Sequence, residues 1–238
     1  MTVIRTFVSA AGGVGKTTIL LNLAVCLARM KQKVLCLDAD PGRGLLSAAG
    51  IPEESLAGSG AGGLRTTVAD LSFGVIGKGR SAVLDFSTSG EPPDWVLIDA
   101  GPWLPSPELL APGSALVVCT DASGAALARL APFLEALTRL WRETGAPVTL
   151  DRILFSRVDV LSRVQSENAR QAVRELGADA LWETLVRHDY GFETHLAAGG
   201  PFIAPPGSSL GRQSARLAIE WMQQQLERSG QEHVLSLV

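Results

Sequence analysis

An α/β fold with a mostly parallel sheet and helices on both faces is predicted by two features of this sequence. Short, continuously apolar runs, typical of strands buried on both faces, recur at residues 34–37, 95–98, 115–119 and 153–155. Longer segments with apolar residues at helical spacing follow several of these runs. Strands that alternate with helices in this way favour a parallel sheet over separate α and β regions.

Each element is predicted from its own residues. The run at 3–8 is a first strand, and Ile19, Leu20, Leu23, Leu27 and Met30 recur at the spacing of a helix that ends near residue 30. Further helices are predicted at 124–144, 163–176 and 208–228, and a last strand at 185–186. Residues 42–93 are rich in Gly, Ser and Pro, with weaker elements around 45–49, 68–71 and 82–86.

Length and composition bound the class of protein. The 238 residues suit one domain spanning 1–238 with a substantial core, and the net charge of −3 excludes a general polycation. No run approaches the roughly 18 apolar residues of a membrane helix, and no basic-then-apolar leader precedes the first strand. We therefore expect a cytoplasmic protein. The three cysteines, Cys26, Cys36 and Cys119, have no metal-site spacing.

A glycine-rich loop between the first strand and the first helix carries most of the functional information. Residues 8–18 read Val-Ser-Ala-Ala-Gly-Gly-Val-Gly-Lys-Thr-Thr. Glycines let consecutive N–H groups turn around a phosphate, the lysine supplies a positive charge, and the first threonine hydroxyl suits Mg²⁺. The helix that follows directs its positive N-terminus at the same anion. The predicted nucleotide-binding residues of the loop are Gly12, Gly13, Val14, Gly15, Lys16, Thr17 and Thr18.

This loop resembles the deviant Walker A loop of the ParA/MinD ATPases. The resemblance implies a P-loop NTPase domain of the SIMIBI type, ATP and Mg²⁺ as cofactors, ATP hydrolysis with Lys16 at the phosphates, and a homodimer that closes on ATP. Family members carry a signature lysine before the glycine pair, which contacts the partner's nucleotide across the dimer. This chain has Ala11 there, so phosphate binding within one chain is expected and the contact across the dimer is in doubt.

Three aspartates follow predicted strands, where ligands of an open parallel sheet bind. Asp38 and Asp40 lie in Asp-Ala-Asp-Pro after the second strand, which resembles a ParA motif. Asp99 ends a strand that resembles a Walker B strand, with Pro102 in the place of the usual following proline. Mg²⁺ prefers carboxylate and water oxygens. We expect Thr17, Asp99 and Asp40 at the metal, and Asp40 to orient the attacking water with Asp38 supporting it.

The base site is predicted from weaker signals. Ser156 and Arg157 occupy the place where family members often carry Asn-Arg near adenine, and Pro205 or Pro206 resembles a proline loop that borders the base. Asp159 also stands where a guanine-specific aspartate would follow an Asn-Lys pair, but two residues of that motif are absent. ATP is therefore preferred over GTP.

Three hypotheses about the wider role stay open. The chain is similar to accessory ATPases of secretion and polysaccharide systems, including the BcsQ/YhjQ proteins of cellulose synthesis, which implies a protein partner and recruitment to the inner membrane. It is also similar to partition ATPases, which bind DNA non-specifically and act on the nucleoid. Finally, Ala11 is compatible with a structural partner that binds nucleotide with little hydrolysis. No membrane-anchoring helix is apparent in the sequence.

Overall fold

A seven-stranded sheet organises the chain. The computed structural model describes residues 2–52, 64–65, 68–76, 91–101, 104–105, 114–145 and 149–228. The strand order is β3-β4-β2-β5-β1-β6-β7, and every neighbouring pair is parallel except β3 with β4. The predicted fold class is confirmed. The strands are β1 (Val3–Ser9), β2 (Val34–Asp38), β3 (Leu64–Arg65), β4 (Leu71–Val75), β5 (Trp95–Asp99), β6 (Ser114–Thr120) and β7 (Thr149–Phe155).

Helices cover both faces of this sheet. One face packs against the helix that follows the glycine loop and against the last helix, and the other face packs against two middle helices. Trp221 of the last helix lies 5.6 Å from Phe7, 5.8 Å from Trp95 and 5.1 Å from Trp182, measured between ring centroids. The helices are α1 (Lys16–Arg29), α2 (Gly44–Ala48), α3 (Gly124–Thr144), α4 (Arg163–Leu176), α5 (Tyr190–Ala197) and α6 (Ser209–Arg228).

The glycine loop follows the central strand at a change in strand order. β1 pairs with β5 on one side and with β6 on the other, and neither neighbour adjoins it in sequence. Such switch points leave a crevice beyond the carboxyl ends of parallel strands, where ligands bind. In the same sheet Asp38 of β2 is the register partner of Asp99 of β5. The predicted phosphate loop and two predicted carboxylates therefore share one edge of the sheet.

Some predicted elements were wrong or displaced. The expected strand at 185–186 is not formed, because the chain there makes only isolated bridges, Ile153 with Leu181 and Val158 with Arg187. β7 begins at residue 149, earlier than predicted, because its first two residues are exposed and the next two are charged and only partly buried, so they do not continue the apolar run. The weak element at 45–49 is helix α2, the one at 68–71 begins β4 instead, and the one at 82–86 lies outside the described residues.

One helix near the C-terminus has no counterpart among the elements predicted above. It is α5, which spans Tyr190–Ala197. Asp189 begins it by accepting the Phe192 N–H at 3.0 Å, as N-cap aspartates do. The helix ends before Gly199, which has a positive φ of 79°. Helix α5 thereby lies beside the glycine loop.

Candidate functional site

The loop after β1 has the backbone geometry of an anion cradle. Gly13 and Gly15 have φ values of 76° and 87°, in the left-handed region that favours glycine. Ile19 is the first residue of α1 whose N–H donates within the helix, to the Gly15 carbonyl at 2.9 Å. The N–H groups of the preceding residues are left free of intrahelical partners by helix geometry. They therefore suit a phosphate at the positive end of α1.

Lys16, Thr17 and Asp99 form a compact polar cluster under this loop. Asp99 is fully buried, and its Oδ1 contacts the Lys16 ammonium. Its Oδ2 accepts the Thr17 hydroxyl at 2.6 Å, and the Gly101 N–H approaches Oδ1 at 3.2 Å. A buried carboxylate is stable only with such partners. The end of β5 thus fixes both the cation and the hydroxyl of the loop.

Burial makes the Lys16 ammonium sensitive to the charges around it. Desolvation lowers the pKa of Lys16 to about 8, while Cys119, Asp40 and Asp38 act in the opposite direction. Cys119 lies fully buried, and desolvation raises the pKa of its thiol to about 12. The thiol therefore stays protonated near neutral pH, which leaves Lys16 as a poorly solvated positive charge facing the loop.

The two aspartates after β2 have different surroundings. Asp38 is fully buried, and its carboxylate accepts the N–H groups of Asp40, Leu45 and Leu46 at 2.9–3.0 Å. It holds the turn and the start of α2, and desolvation raises its pKa.

Asp40 lies at the cavity wall instead. Its Oδ1 accepts the Gly42 N–H at 2.8 Å, and its side chain packs beside Gly101, where a Cβ would come within 3.2 Å. A Cβ on Gly44 would lie 3.8 Å from Asp40 Oδ2 and 3.9 Å from Thr17 Oγ1. The carboxylate and the threonine hydroxyl thus border the same small space.

The residues after β7 contact the loop from the other side. Ser156 has no exposed surface and donates its hydroxyl to the Val14 carbonyl at 2.5 Å. Arg157 has a φ of 51° and donates to the Gly13 carbonyl. Its methylene groups lie over Gly15, where a Cβ would approach them to 3.1 Å. Position 15 therefore favours glycine for two reasons, the positive φ and the close approach of the Arg157 side chain.

Helix α5 forms the opposite wall. Glu193 pairs with Arg157 at 3.0 Å and with His188 Nε2 at 3.2 Å. Asp189 caps α5 and also accepts the Leu210 N–H at 2.8 Å, which joins α5 to the first turn of α6. His188 and Asp189, which directly precede α5, both line the cavity.

These walls enclose a cavity of about 460 Å³, a size typical of small-molecule sites. It brings together most of the predicted residues and several that sequence reasoning missed. The predicted residues on its wall are Gly12, Gly13, Val14, Gly15, Lys16, Thr17, Thr18, Asp40 and Arg157. The missed residues are Val186, Arg187, His188, Asp189, Phe192, Glu193, Leu196 and Leu210.

Other predicted residues lie off the cavity wall. Ser156 is beneath the loop, so its contacts support a role in holding Val14 and give its predicted base contact no support. Pro205 and Pro206 are exposed, and the Pro205 carbonyl accepts the N–H of Ser208, the residue just before α6. Pro102 lies outside the described residues. Within the described ranges, no helix is long and apolar enough to cross a membrane, and no cluster of three metal-ligating side chains occurs.

Comparison with known proteins assigns the family. Residues 6–192 match the model of the CobQ/CobB/MinD/ParA nucleotide binding domain, which is well over half of the chain. The chain belongs to this family. A curated relative, the Maintenance of carboxysome distribution protein A of Gloeobacter kilaueensis, is 30% identical over 176 residues, which cover 74% of this chain and 72% of the relative. The ParA/MinD resemblance of the loop is thereby confirmed at the level of the family.

Solved structures agree on the fold. The septum site-determining protein MinD of Pyrococcus horikoshii, complexed with Mg-ADP, matches with a TM-score of 0.69 at 20% identity, covering 94% of this chain and 98% of that one. The cobyrinic acid a,c-diamide synthase of Mycobacterium smegmatis, with bound ADP and magnesium, matches with a TM-score of 0.69 at 16% identity over the full length of both chains. At these identities the likeness concerns the fold of this ParA/MinD-family chain.

Proposed function

We propose that this ParA/MinD-family protein binds Mg²⁺ and ATP in the cavity and hydrolyses ATP slowly as a molecular switch. The observation that carries the proposal is the cluster of Lys16, Thr17 and Asp99 at the N-terminus of α1, below a loop with two left-handed glycines. Its free helical N–H groups and buried cation fit a phosphate chain, and its hydroxyl and carboxylate oxygens fit a magnesium ion.

The metal would be held by Thr17, with Asp99 and Asp40 binding its waters. When bound, Mg²⁺ neutralises part of the charge that develops on the transferred phosphoryl group. Asp99 already orients the Thr17 hydroxyl at 2.6 Å and balances the charge of Lys16. These contacts keep the two groups in place before the nucleotide arrives, which is how such sites avoid the cost of reorganisation.

Asp40 is proposed as the residue that orients the attacking water. Its carboxylate lies on the cavity wall beside Gly44 and close to Thr17, and one of its oxygens accepts only the local Gly42 N–H among the contacts described. Asp38 supports it indirectly, since Asp38 accepts the Asp40 N–H and thereby fixes the turn. Positioning supplies most of the catalysis in phosphoryl transfer.

The base is proposed to bind beside the methylene groups of Arg157 and against the apolar wall formed by Val186, Phe192 and Leu210, which leaves the Arg157 guanidinium on the side of the glycine loop. Pro205 and Pro206 stay candidates for the outer edge of that site. Asp159 occupies the sequence position of a guanine-specific aspartate, but it does not line the cavity. Its carboxylate accepts the Tyr190 hydroxyl at 3.0 Å and the Leu161 N–H at 3.0 Å instead. These contacts favour ATP over GTP.

The wider role we propose is the positioning of a cargo or assembly through a nucleotide-dependent homodimer and a protein partner. The carboxysome-distribution name of the relative favours this hypothesis over the polysaccharide and cellulose branch. ATP-dependent, non-specific DNA binding on the nucleoid belongs to the same hypothesis. Recruitment to the inner membrane by a partner is the alternative. Ala11 supplies no cation for a contact across the dimer, so such a dimer needs other contacts.

The test combines two measurements on the full chain with Mg²⁺. Size-exclusion chromatography with light scattering compares ATP with ADP and reports dimer formation. Binding to a random DNA duplex is then measured with each nucleotide over a range of salt, since phosphate contacts make affinity fall as salt rises. We expect a dimer and salt-sensitive DNA binding with ATP alone. A protein that stays monomeric and binds no DNA with either nucleotide contradicts the cargo-positioning hypothesis. Such a result does not contradict nucleotide binding, which is measured separately.

Nucleotide affinity is expected to fall as the pH rises above about 8. Burial lowers the pKa of Lys16 to about 8 in the free protein, whereas bound phosphate favours the ammonium and raises that pKa again. Binding therefore takes up a proton in this range, and affinity is lost by up to about tenfold per pH unit until the pKa of the complex is reached. Calorimetry in two buffers of different ionisation enthalpy measures the uptake. Lys16→Arg is the control, because arginine does not titrate here; a flat profile in the parent contradicts the expectation.

A further inference from the structure

We propose that the ion pair between Arg157 and Glu193 is a latch across the nucleotide cavity, which the phosphate chain of an incoming nucleotide opens by taking Arg157 away from Glu193. The inference rests on the proposed function, since it assumes that nucleotide binds in this cavity. It assigns to Glu193, which no sequence motif singled out, the role of a competing anion that sets nucleotide affinity.

The first step concerns the position of Arg157. Its backbone has a φ of 51°, a conformation that side-chain-bearing residues rarely adopt and that is concentrated at functional sites. This turn directs its methylene groups over Gly15 and its guanidinium to the Gly13 carbonyl. A guanidinium at the mouth of a phosphate loop has the planar, multiple-donor geometry that phosphate oxygens bind well.

The second step concerns the partner that holds it. Glu193 lies in the first turn of α5 and lines the same cavity as Lys16 and the glycines. Its Oε1 lies 3.0 Å from Arg157 Nη2, and its Oε2 lies 3.2 Å from His188 Nε2. Both carboxylate oxygens are thereby fixed on the cavity side of α5. The cavity thus contains a carboxylate where a polyanion is proposed to bind.

The third step compares the strengths of the competing contacts. The Arg157 and Glu193 side chains are 47% and 49% exposed, so water weakens their attraction. Pairs of this kind change an equilibrium by no more than about fivefold. A polyphosphate carries several negative charges and bidentate acceptor oxygens, and it also gains the N–H groups of α1. The nucleotide therefore displaces Glu193 from Arg157. Its affinity is lower than it would be without Glu193, because the ion pair must be broken and the carboxylate repels the phosphates.

The consequence lies in α5. Arg157 links Glu193 of this helix to the Gly13 carbonyl, and Asp189 links the same helix to Leu210 of α6. When phosphate takes Arg157, α5 loses this polar link to the loop while it keeps its hydrogen bond to α6. Phosphate binding thereby changes the contacts of α5, a helix that is exposed at Tyr190.

The test is Glu193→Gln in the full chain, which removes the charge and keeps the size of the side chain. Affinities for ATP, ADP and AMP with Mg²⁺ are measured by calorimetry. We expect the variant to bind ATP about three- to tenfold more tightly, with a smaller gain for ADP and little for AMP, because the repulsion grows with phosphate charge. Glu135→Gln is the matched control, since it makes the same charge change at an exposed position on α3, away from the cavity.

The outcomes separate the latch from its rivals. Weaker or unchanged ATP affinity in the Glu193→Gln variant overturns the proposal, as does a gain that is equal for ATP and AMP, which would place Glu193 at the nucleoside. In an Arg157→Gln background the gain is expected to shrink, because the competition needs both partners; a full gain there also overturns the latch. If the unmodified protein binds no nucleotide at all, the proposed function fails instead.

Discussion

Lys16→Ala is expected to reduce nucleotide affinity by about a hundredfold or more, because it removes a buried charge that would bond to phosphate oxygens. The Lys16 side chain is 7% exposed and its ammonium contacts the fully buried Asp99, which holds the charge at this position. Calorimetry with ATP and Mg²⁺ measures the loss. An affinity equal to that of the parent excludes the glycine loop as the phosphate site.

The same substitution leaves the Asp99 carboxylate buried without its cation, which itself destabilises a protein. The melting temperature of the variant is therefore measured with the affinity, and Lys16→Gln is included because it keeps a hydrogen-bond donor of similar reach. Lys33→Ala is the matched control. Lys33 is 45% exposed and pairs with the exposed Glu91, so its loss is expected to change neither affinity nor folding.

Asp40→Asn is expected to slow ATP hydrolysis by about a hundredfold or more while nucleotide affinity stays nearly the same. The asparagine keeps the size of the side chain and can still accept the Gly42 N–H, but it orients an attacking water less well than a carboxylate does. Single-turnover hydrolysis measures the chemical step separately from product release. Turnover equal to that of the parent removes Asp40 from the catalytic role.

Asp38→Asn is the instructive comparison, since both aspartates lie within one turn. Asp38 accepts three backbone N–H groups. In asparagine an NH₂ group replaces one of the two carboxylate oxygens, and this group is a donor that cannot accept a backbone N–H. We expect a loss of about 1–3 kcal/mol in the free energy of unfolding, visible as a lower melting temperature. Asp40→Asn is expected to leave the melting temperature unchanged, so the two variants separate support of the turn from action on the water.

Sequence reasoning found the parts of the site that depend on local patterns. The glycine loop, Lys16 and Thr17 are adjacent in the chain, and Asp99 follows a run whose apolar character marks it as a buried strand. The register of a parallel sheet then brings Asp99 beside Asp38 and under the loop. Such residues could be predicted because short-range geometry and one general rule of open sheets are enough to place them.

The wall formed by α5 could not be predicted in the same way. The residues from Tyr190 to Ala197 show little amphipathic pattern, and the helix is set by the Asp189 cap and by packing against the loop and α6. The Arg157 guanidinium reaches the Gly13 carbonyl across 144 positions of sequence. Contacts of this range depend on the assembled sheet and have no local signature, except that an Asp before an aromatic residue is a recognisable helix start.

The side chain of Asn22 adds a last contact around the cavity. It lies on α1, donates to the Phe202 carbonyl at 2.9 Å and accepts the Ala204 N–H at 2.7 Å, so α1 holds the segment that joins α5 to α6. With the bonds made by Arg157 and Asp189, the loop, α5, α6 and α1 form a closed ring. Proteins open in contiguous cooperative units that hydrogen–deuterium exchange detects, and elements tied together in this way are candidates for one such unit. We therefore expect the backbone amides of these three helices to exchange together, and a substitution that breaks one of these bonds to raise the exchange rate in all three helices.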